Sequence, residues 1–431
     1  MDLNVLARLL RFSVGINNVT RRNGRVIHWR AASSAGNRHP IETYVVYGGG
    51  PELVPGVFHF APDAPGLEEL HHGDHRGFVA AAAADPALAS AEALLILTGV
   101  PWRTSWKYAE RGLRHLYWDA GTVLAHVLAL AEASGVPARL LFGFEDMTLS
   151  KLLGIDGREE FPLAIVALGT QPHVLSAPMT DPGPPSVDPA ASPKGVRFPL
   201  ITMTQQAGAL HDGDMVRAWR DNPAGQPTTM GLAGPAPVPV SESIEQVISR
   251  RTSTRTMQRA EIPRELMDWT MACATRPVST DVLPPDHTLL TNWLAVHAIA
   301  GAPSGLHRRV GTEIGLRQGM PAAQARAMTA HLCLDQKQGG ESAFTLFVCA
   351  DLAPVLKNLG DRGYRVAQIA AGIAIGRLQL SAAALTFGAC GLTFYDDEVS
   401  RATGSDCLVA CAVGTPVSHR ARLCPVRLEE R

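Results

Sequence analysis

The chain has few cysteines, and their pattern is not that of a disulfide framework or a zinc site. It has seven cysteines among 431 residues, all of them in the second half, and no two form a C-x-x-C pair. They are Cys273, Cys333, Cys349, Cys390, Cys407, Cys411 and Cys424. The odd number and the spacing argue against a disulfide framework and against a zinc knuckle, and they favour a reducing compartment.

The chain also has no charge excess and no targeting or membrane-spanning segment. Its 39 basic and 40 acidic side chains nearly cancel, so an electrostatic nucleic-acid binder is not indicated. No basic and apolar signal begins the sequence, and no uninterrupted run of about 20 apolar residues follows. We therefore expect a cytoplasmic protein that binds neither nucleic acid nor membrane.

Length and composition allow two globular domains. The hydrophobic fraction is 46% and the charged fraction 18%, which is enough to bury a sizeable core.

Two segments of the chain resemble each other. Arg111-Gly112-Leu113-Arg114 is followed by Gly121 and later by Gly143-Phe144-Glu145-Asp146; Arg362-Gly363-Tyr364-Arg365 is followed by Gly372 and Phe394-Tyr395-Asp396-Asp397. The spacing aligns Gly121 with Gly372 and Asp146 with Asp397. Each half closes with an apolar strand that ends in Gly-Thr, at Thr170 and Thr415. A repeat on this scale indicates a duplicated domain, and the recurring arginine pairs favour a structural role at the interface between the halves.

Between the two repeats lies a segment rich in Pro, Gly, Ser and Asp. We expect a first domain over 1–170, a connector over 171–240 with one short helix near Met215 to Arg220, and a second domain over 241–431. A connector of this length inside a compact protein typically wraps a surface or covers a site.

Within each half, strand-like and helix-like patterns alternate. Glu42–Tyr47 and Ala93–Thr98 read as strands, and Ala120–Ser134 and Ala371–Phe387 read as buried helices, each ending at a glycine. The pattern predicts the α+β class, with a largely antiparallel sheet surrounded by helices in each half.

Two short segments carry residue types suited to a ligand. In Arg251-Thr252-Ser253-Thr254-Arg255, two guanidinium groups flank a hydroxyl, which suits a phosphate group, although such a run is more often a solvated basic turn. Ser33-Ser34-Ala35-Gly36-Asn37, here called the serine–glycine loop, follows Arg30. Its small residues let the backbone approach a planar ligand, and its alternative reading is a helix N-cap before a strand.

Taken together, these residues resemble the nitroreductase superfamily, in particular the SagB-type branch of thiazole/oxazole-forming peptide dehydrogenases. The first half carries the resemblance from about 30 to 170; the second half carries it more loosely. The supporting residues are Arg30 with the serine–glycine loop, Pro40-Ile41-Glu42, Tyr44, Gly56-Val57-Phe58-His59-Phe60, Trp106-Lys107-Tyr108, Glu110-Arg111, Asp119-Ala120-Gly121, and in the second half Arg251-x-Ser253-x-Arg255.

The resemblance implies an FMN-dependent oxidoreductase in which two tandem domains form an intrachain pseudo-dimer. Family members are homodimers that build each flavin site from both subunits. Here the first half contains no R-x-S-x-R motif, and the second half contains no equivalent of the serine–glycine loop. The expectation is one FMN per chain. Arg251, Ser253 and Arg255 would bind the phosphate and ribityl chain, Arg30, Ser33, Ser34, Gly36 and Asn37 the ring, and Arg420 and Arg422 would add charge near the phosphate.

The resemblance also implies that Lys107 and Tyr108 are catalytic, because oxidation of an azoline removes a C–H proton while hydride goes to the flavin. A surface lysine after Trp106 is the alternative reading. Expected partners are a precursor peptide or a small-molecule substrate, and a cyclodehydratase complex. An NAD(P)H-dependent nitro or quinone reductase and a non-catalytic flavin-binding pseudoenzyme remain as alternatives. The histidine-rich segment His71-His72-Gly73-Asp74-His75 reads as a solvated loop rather than a metal site, and no metal is expected.

Overall fold

The computed structural model describes residues 1–170, 182–185, 195–222, 228–229, 240–285 and 287–417. Arg420 and Arg422 lie outside the described residues. The first half contains α1 (Leu3–Ser13), β1 (Ile16–Arg22), β2 (Arg25–Arg30), β3 (Ile41–Tyr47), β4 (Gly56–Ala61), β5 (Gly66–His72), α2 (Arg76–Ala82), β6 (Ala93–Gly99), α3 (Trp102–Tyr108), α4 (Gly112–Ala133), β7 (Ala138–Leu141), α5 (Asp146–Leu153) and β8 (Phe161–Leu168), with short 3₁₀ turns at Ala35–Asn37, Pro86–Ser90 and Ala109–Arg111.

The connector contributes α6 (Pro199–Ala207), α7 (Gly213–Asp221) and β9 (Thr228–Thr229). The second half contains α8 (Ile244–Arg250), β10 (Met257–Gln258), α9 (Arg264–Thr275), β11 (His287–Thr288), β12 (Leu290–Val296), β13 (Gly305–Val310), β14 (Glu313–Gly319), α10 (Ala322–Leu332), α11 (Lys337–Glu341), β15 (Phe344–Ala350), α12 (Leu352–Leu359), α13 (Arg362–Ala384), β16 (Gly388–Leu392), α14 (Asp396–Thr403) and β17 (Asp406–Pro416).

The two halves build the same sheet. In the first half the strand order is β5-β4-β3-β6-β8-β7, and in the second it is β14-β13-β12-β15-β17, with β16 and β10 both pairing β17. Neighbouring strands in both sheets are antiparallel. The strand-for-strand correspondence confirms the predicted α+β class and the duplication.

The two central helices, α4 and α13, cross in backbone contact. A Cβ atom added to Gly121 would lie 2.5 Å from the Cα of Gly372, and one added to Gly372 would lie 2.8 Å from the Cα of Trp118. Only glycine permits this approach, which explains why both repeats carry it. Both helices begin well before the predicted Ala120 and Ala371, because their first turns carry charged residues that the apolar pattern does not include.

Helix α13 is long and apolar enough by composition to cross a membrane. Yet 89% of its most apolar stretch is buried inside the fold, as expected for a central helix of a folded core.

Ion pairs exchanged between the halves lock this pseudo-dimer. Arg362 and Arg365 of α13 pair with Asp146 at the start of α5, at 2.6 and 3.2 Å. In the same way, Arg111, which precedes α4, and Arg114, on α4, pair with Asp396 at the start of α14. The predicted structural role of the arginine pairs is therefore confirmed. The predicted alignment of Asp146 with Asp397 is wrong by one residue, because the second half has one residue fewer between its central helix and α14.

The connector packs over the Asp146 cluster. The backbone N–H of Leu210 donates to Asp146 at 3.0 Å, and Gln205 on α6 is buried beside it. The predicted helix near Met215 to Arg220 is present as α7, whereas α6 was not expected. The connector therefore has structured parts that cover the core.

The histidine-rich segment is a solvated loop only in part, because Gly73 to His75 lie in a loop and His72 is exposed. His71 and His72 end strand β5, and His71 is buried, with its imidazole Nε2 at 2.9 Å from the carbonyl oxygen of Leu152. Within the described residues no group of three or more His, Cys, Asp or Glu side chains could hold a metal ion.

Candidate functional site

The serine–glycine loop lies between β2 and β3 and is held by helix α4. The Ser34 hydroxyl donates to the Asp119 carboxylate at 2.5 Å, and the backbone N–H of Ala35 donates to the same carboxylate at 2.9 Å. One turn along the helix, the Thr122 hydroxyl donates to the carbonyl of Ser33 at 2.7 Å. These contacts fix the position of the loop backbone relative to the core, and burial raises the pKa of Asp119 to about 7.

The loop backbone is strained where it passes Lys107 and Tyr108. Gly36, Asn37 and His39 have φ values of 62°, 58° and 49°, a region that only glycine enters without cost. A Cβ atom at Gly36 would lie 2.7 Å from the Tyr108 hydroxyl and 3.0 Å from the Lys107 Nζ. The fold thus brings together the two groups of residues that the sequence singled out separately.

Tyr108 is held by a stack of aromatic side chains. Its ring lies parallel to that of His115, with centroids 4.1 Å apart, and His115 in turn packs at 4.7 Å against Trp118. His115 is buried, which lowers its pKa to about 4, so it is neutral at pH 7. Lys107 lies beside this stack, with Nζ 4.9 Å from the centroid of the Tyr108 ring, and is exposed.

Arg251 reaches this region from the second half. Its Nη2 donates to the carbonyl of Ala31 at 3.0 Å, just before the serine–glycine loop, and its buried Nε has no hydrogen-bond partner among the described residues. Burial lowers the Arg251 pKa to about 10, so the guanidinium remains charged at pH 7.

Several guanidinium groups converge on the loop and make it electropositive. Burial, followed by the charges of Arg30, Arg251, Arg103 and Arg38, lowers the pKa of His39 to about 3. Glu42 offsets part of this charge, because it pairs with Arg103 and His59. This excess of buried positive charge suits an anionic ligand.

Ser253 and Arg255 lie along the edge of β16, where Ser253 forms a bridge with Ala389 and Thr254 donates to its carbonyl at 3.0 Å. A Cβ atom at Gly388 would lie 2.4 Å from the Thr254 hydroxyl, so glycine is needed there. The side chains of Ser253 and Arg255 are exposed, and Arg255 has no ion-pair partner within the described part of the chain. The structure records no direct contact between these two side chains and the serine–glycine loop.

Arg30 and Asn37 are committed to contacts inside the loop region. Arg30 donates to the carbonyl of Ile41 at 3.1 Å. The Asn37 amide donates to the carbonyl of His28 at 2.9 Å and lies 2.8 Å from the His39 ring. In this arrangement the Asn37 side chain supports the loop.

Sequence reasoning missed the residues that position the site. Asp119 was noted only within the family resemblance, and His115 and Thr122 were not considered. Their spacing along one face of α4, three or four residues apart, was the available signal.

The equivalent region of the second half has lost these groups. Counting from the paired arginines, Asn358 and Leu359 stand where the first half has Lys107 and Tyr108, and Ala370 and Ile373 stand where it has Asp119 and Thr122. A small cavity remains there, lined by Phe142, Val278, Ala370, Ile373 and Arg377 among others.

This second region is also closed. The buried Asp281 carboxylate accepts from the backbone N–H groups of Phe142 and Gly143 at 2.9 and 2.8 Å. Trp219 on α7 donates to the carbonyl of Leu359 at 2.7 Å, and Arg220 donates to the carbonyl of Ala83 at 2.6 Å. The described part of the connector therefore contacts the second region at Leu359, whereas Lys107 in the first region is exposed.

The repeated fold defines an α+β protein built as a fused pair of related domains. The family model described as the nitroreductase family matches residues 1–170 and 248–415, and the chain belongs to that family.

Known proteins agree with this assignment. A candidate nitroreductase from Anabaena variabilis covers 96% of this chain, and 88% of its own, with a TM-score of 0.76 and 24% identity, a likeness that shows the fold. A candidate nitroreductase from Methanocaldococcus jannaschii is 26% identical over 146 residues, which are 33% of this chain and 70% of the relative. A chain of the E. coli microcin synthetase McbBCD complex covers 39% of this chain and 64% of its own, with 19% identity and a TM-score of 0.34, which is too low to support any inference.

Proposed function

We propose that the protein is an FMN-dependent dehydrogenase of the SagB-type branch, which oxidises azoline rings to azoles on a ribosomally made peptide. The support is the family membership, whose members typically bind flavin, together with the arrangement of chemical groups around the serine–glycine loop.

The residues present fit FMN. The unpartnered Nε of Arg251 and the converging guanidinium groups suit its phosphate and its electron-rich ring edge, and Gly36 lets the loop backbone pass close to Lys107 and Tyr108. Arg251, Ser253 and Arg255 would hold the phosphate and ribityl chain, while Arg30, Ser33, Ser34, Gly36 and Asn37 would surround the ring. FMN supplies a hydride acceptor at its N5 atom.

The observation that carries the proposal is the position of Lys107 and Tyr108. Their polar atoms lie within about 3 Å of where a side chain on Gly36 would begin, directly beside the ring-binding backbone. Removing hydride from an azoline carbon also requires that a C–H proton be taken by a base. Lys107 Nζ is that base in this proposal, and Tyr108, held by the His115 stack, orients the substrate by its hydroxyl. Because Lys107 is exposed, bound substrate has to exclude water from it.

We expect a single site per chain because the two halves supply different parts of it. The second half supplies the arginine–serine motif, and the first half supplies the loop, Lys107 and Tyr108. Asn358 and Leu359 cannot accept a proton, and the connector closes their surroundings. We further propose a leader-bearing precursor peptide as substrate, a cyclodehydratase as partner and O2 as terminal electron acceptor. We also propose the cytoplasm as compartment, because the six cysteines within the described residues are free.

The test mixes FMN-loaded protein with a thiazoline- or oxazoline-bearing peptide in the absence of air. The proposal expects bleaching of the flavin absorbance and a peptide two hydrogen atoms lighter. Bleaching by NADPH, with reduction of a nitro compound or quinone and no effect of azoline peptides, would instead support a reductase. No bleaching by either donor would support a flavin-binding pseudoenzyme.

A further inference from the structure

Strands β1 and β2 form a hairpin that is separate from both large sheets. They pair with each other in antiparallel register around a tight turn at Asn23 and Gly24, whose φ values of 50° and 73° match the turn type that favours such hairpins. No third strand joins this hairpin among the residues that the structure describes. A two-stranded hairpin of this kind is marginally stable alone and offers free edges for another strand.

The hairpin carries positive charge only. Between residues 16 and 30 there are four arginines, at positions 21, 22, 25 and 30, and no aspartate or glutamate. Arg21 and Arg25 are exposed, and Val26, which pairs with Arg21 in the register, is 53% exposed. Arg21 and Val26 therefore share one face of the hairpin and Arg25 lies on the other, an arrangement suited to an extended chain that combines apolar and acidic residues.

One edge of the hairpin faces the candidate site. The carbonyl of His28 on β2 accepts from the Asn37 side chain, so it points away from β1 and toward the serine–glycine loop. Backbone groups two residues apart on a strand point the same way, so those of Val26 also lie on this outer edge. Because Asn37 already occupies the His28 carbonyl, a strand added along β2 would pair at Val26 and end beside the loop that contains Gly36.

The charge continues from the hairpin to the mouth of the site. Arg38 donates through Nε to the carbonyl of Gly36 at 2.9 Å and lies over the exposed ring of Trp106, 4.8 Å from its centroid. Lys107 is exposed next to Trp106. The carboxylates near this path are Asp63, 3.3 Å from the His28 ring, and the exposed Glu110; the other charged side chains named here are cationic.

We propose that the outer edge of β2 docks an extended acidic segment of the peptide substrate as a third strand, with Arg21 of β1 on one face of the hairpin and Arg25 of β2 on the other. This places the residue to be oxidised beside Gly36. The inference rests on the proposed function for the identity of the peptide, but the binding itself requires no turnover.

The test measures binding to the full-length, FMN-loaded protein by fluorescence anisotropy. The probe is a fluorescein-labelled ten-residue peptide of alternating glutamate and valine. Comparison probes are its lysine–valine analogue, the same acidic peptide with N-methylated backbone at alternate residues, and a ten-nucleotide single-stranded DNA.

Arg21→Glu and Arg25→Glu should each weaken binding of the acidic peptide by about tenfold at low salt. Arg317→Glu is the matched control, because Arg317 is an exposed arginine on β14, an edge strand of the other half. It should leave the affinity unchanged. N-methylation should weaken binding to the wild-type protein, which reports strand pairing without altering the protein, and flavin content should be equal in all variants.

The proposal is overturned if the lysine peptide binds as well as the acidic one, if Arg317→Glu weakens binding as much as Arg21→Glu, or if N-methylation has no effect. Equally tight DNA binding that competes with the peptide would also overturn it and would point to general anion binding. Failure of azoline oxidation with intact peptide docking would refute the proposed function alone. Loss of docking with intact oxidation would refute only the hairpin's role.

Discussion

The two pseudo-symmetric regions of this chain have the same architecture and opposite chemistry. The first region has the exposed Lys107, Tyr108 and the buried Asp119, and the second has Asn358, Leu359 and Ala370, with the connector in contact with Asn358 and Leu359. Six strands of each large sheet, the central helices and the interdomain ion pairs correspond, and the second sheet has β10 in addition. The fold has therefore been kept in both halves, and the groups suited to chemistry in only one.

The difference shows what joining two domains in one chain permits. In a symmetric homodimer, a mutation that closes one site closes both, because the two surfaces are identical. Here each half has its own sequence, and the described part of the connector contacts Asn358 and Leu359 of the second region. Loss of one site can then coexist with function at the other.

The ion-pair clusters follow the same asymmetry. The side chain of Asp146 is 6% exposed and its arginine partners are almost fully buried, whereas Asp396 is 36% exposed and its partners about a quarter exposed. The connector accounts for the difference, because Leu210 and Gln205 contact Asp146 directly.

The largest effect is expected at the pair of positions that would carry the chemistry. Lys107→Ala should lower the azoline oxidation rate by at least about 100-fold, because the proton acceptor is lost, while FMN remains bound. Asn358→Ala at the equivalent position should leave the rate unchanged. Stopped-flow measurement of flavin reduction checks both variants. An unaltered rate in Lys107→Ala would remove this residue from the mechanism.

The two aspartates of the ion-pair clusters should differ in their contribution to stability. Asp146→Asn leaves two buried arginines without a full counter-charge and should lower the free energy of unfolding by about 3–5 kcal/mol. Asp396→Asn, in the more exposed cluster, should cost about 1 kcal/mol or less. Denaturant unfolding of both variants provides the comparison, and equal losses would show that the connector does not isolate the Asp146 cluster from solvent.

Flavin affinity should depend on the arginines of one region only. Arg251→Ala removes a guanidinium with an unpartnered Nε and should weaken FMN binding by about 10- to 100-fold. Arg276→Ala, at the second cavity, should leave the affinity unchanged. Equilibrium dialysis against FMN measures both. A weakened Arg276→Ala would indicate that the second cavity takes part in binding.

The smallest expected effect is a change in how stability depends on pH. Burial raises the pKa of Asp119 to about 7, so between about pH 4 and 7 the folded chain holds a proton that the unfolded chain has released. This group's contribution to the free energy of unfolding therefore falls as pH rises through that window. Asp119→Asn should remove that part of the slope.

Thr122→Val provides the control for Asp119. This variant loses the hydrogen bond to Ser33 but keeps the Asp119 carboxylate, so the pH dependence of the free energy of unfolding should persist. Unfolding curves at several pH values distinguish the two variants. An identical slope in Asp119→Asn and in the wild-type protein would contradict the assignment.

Local sequence patterns were sufficient to predict the duplication, the α+β class, the strands around Glu42–Tyr47 and Ala93–Thr98, and the helix α7. These follow from short-range periodicity and from glycines whose spacing repeats. Helix α6 was missed because its sequence lies in a proline- and glycine-rich segment and depends on packing against Asp146. The sequence repeat aligned Asp146 with Asp397, whereas the structure places Asp396 at the equivalent position. The second half lacks one residue in the loop before α14, and counting residues from Gly372 alone does not reveal this deletion.

The site was predicted in part. The sequence singled out Lys107, Tyr108 and Gly36 from separate motifs, and only the three-dimensional structure shows that they meet. The roles of Asp119 and His115 depend on contacts between elements far apart in the chain, with Ser34 and Tyr108 respectively. His71 was misplaced because its burial arises from packing against α5, which its polar neighbours in sequence do not reveal.

The number of flavins per chain tests the account most directly. Protein purified or reconstituted with excess FMN and freed of unbound flavin should contain one equivalent per chain by absorbance after denaturation, and Arg251→Ala should lose it while Arg276→Ala retains it. Two equivalents per chain would contradict the loss of the second region, and no bound flavin in the wild-type protein would contradict the site itself.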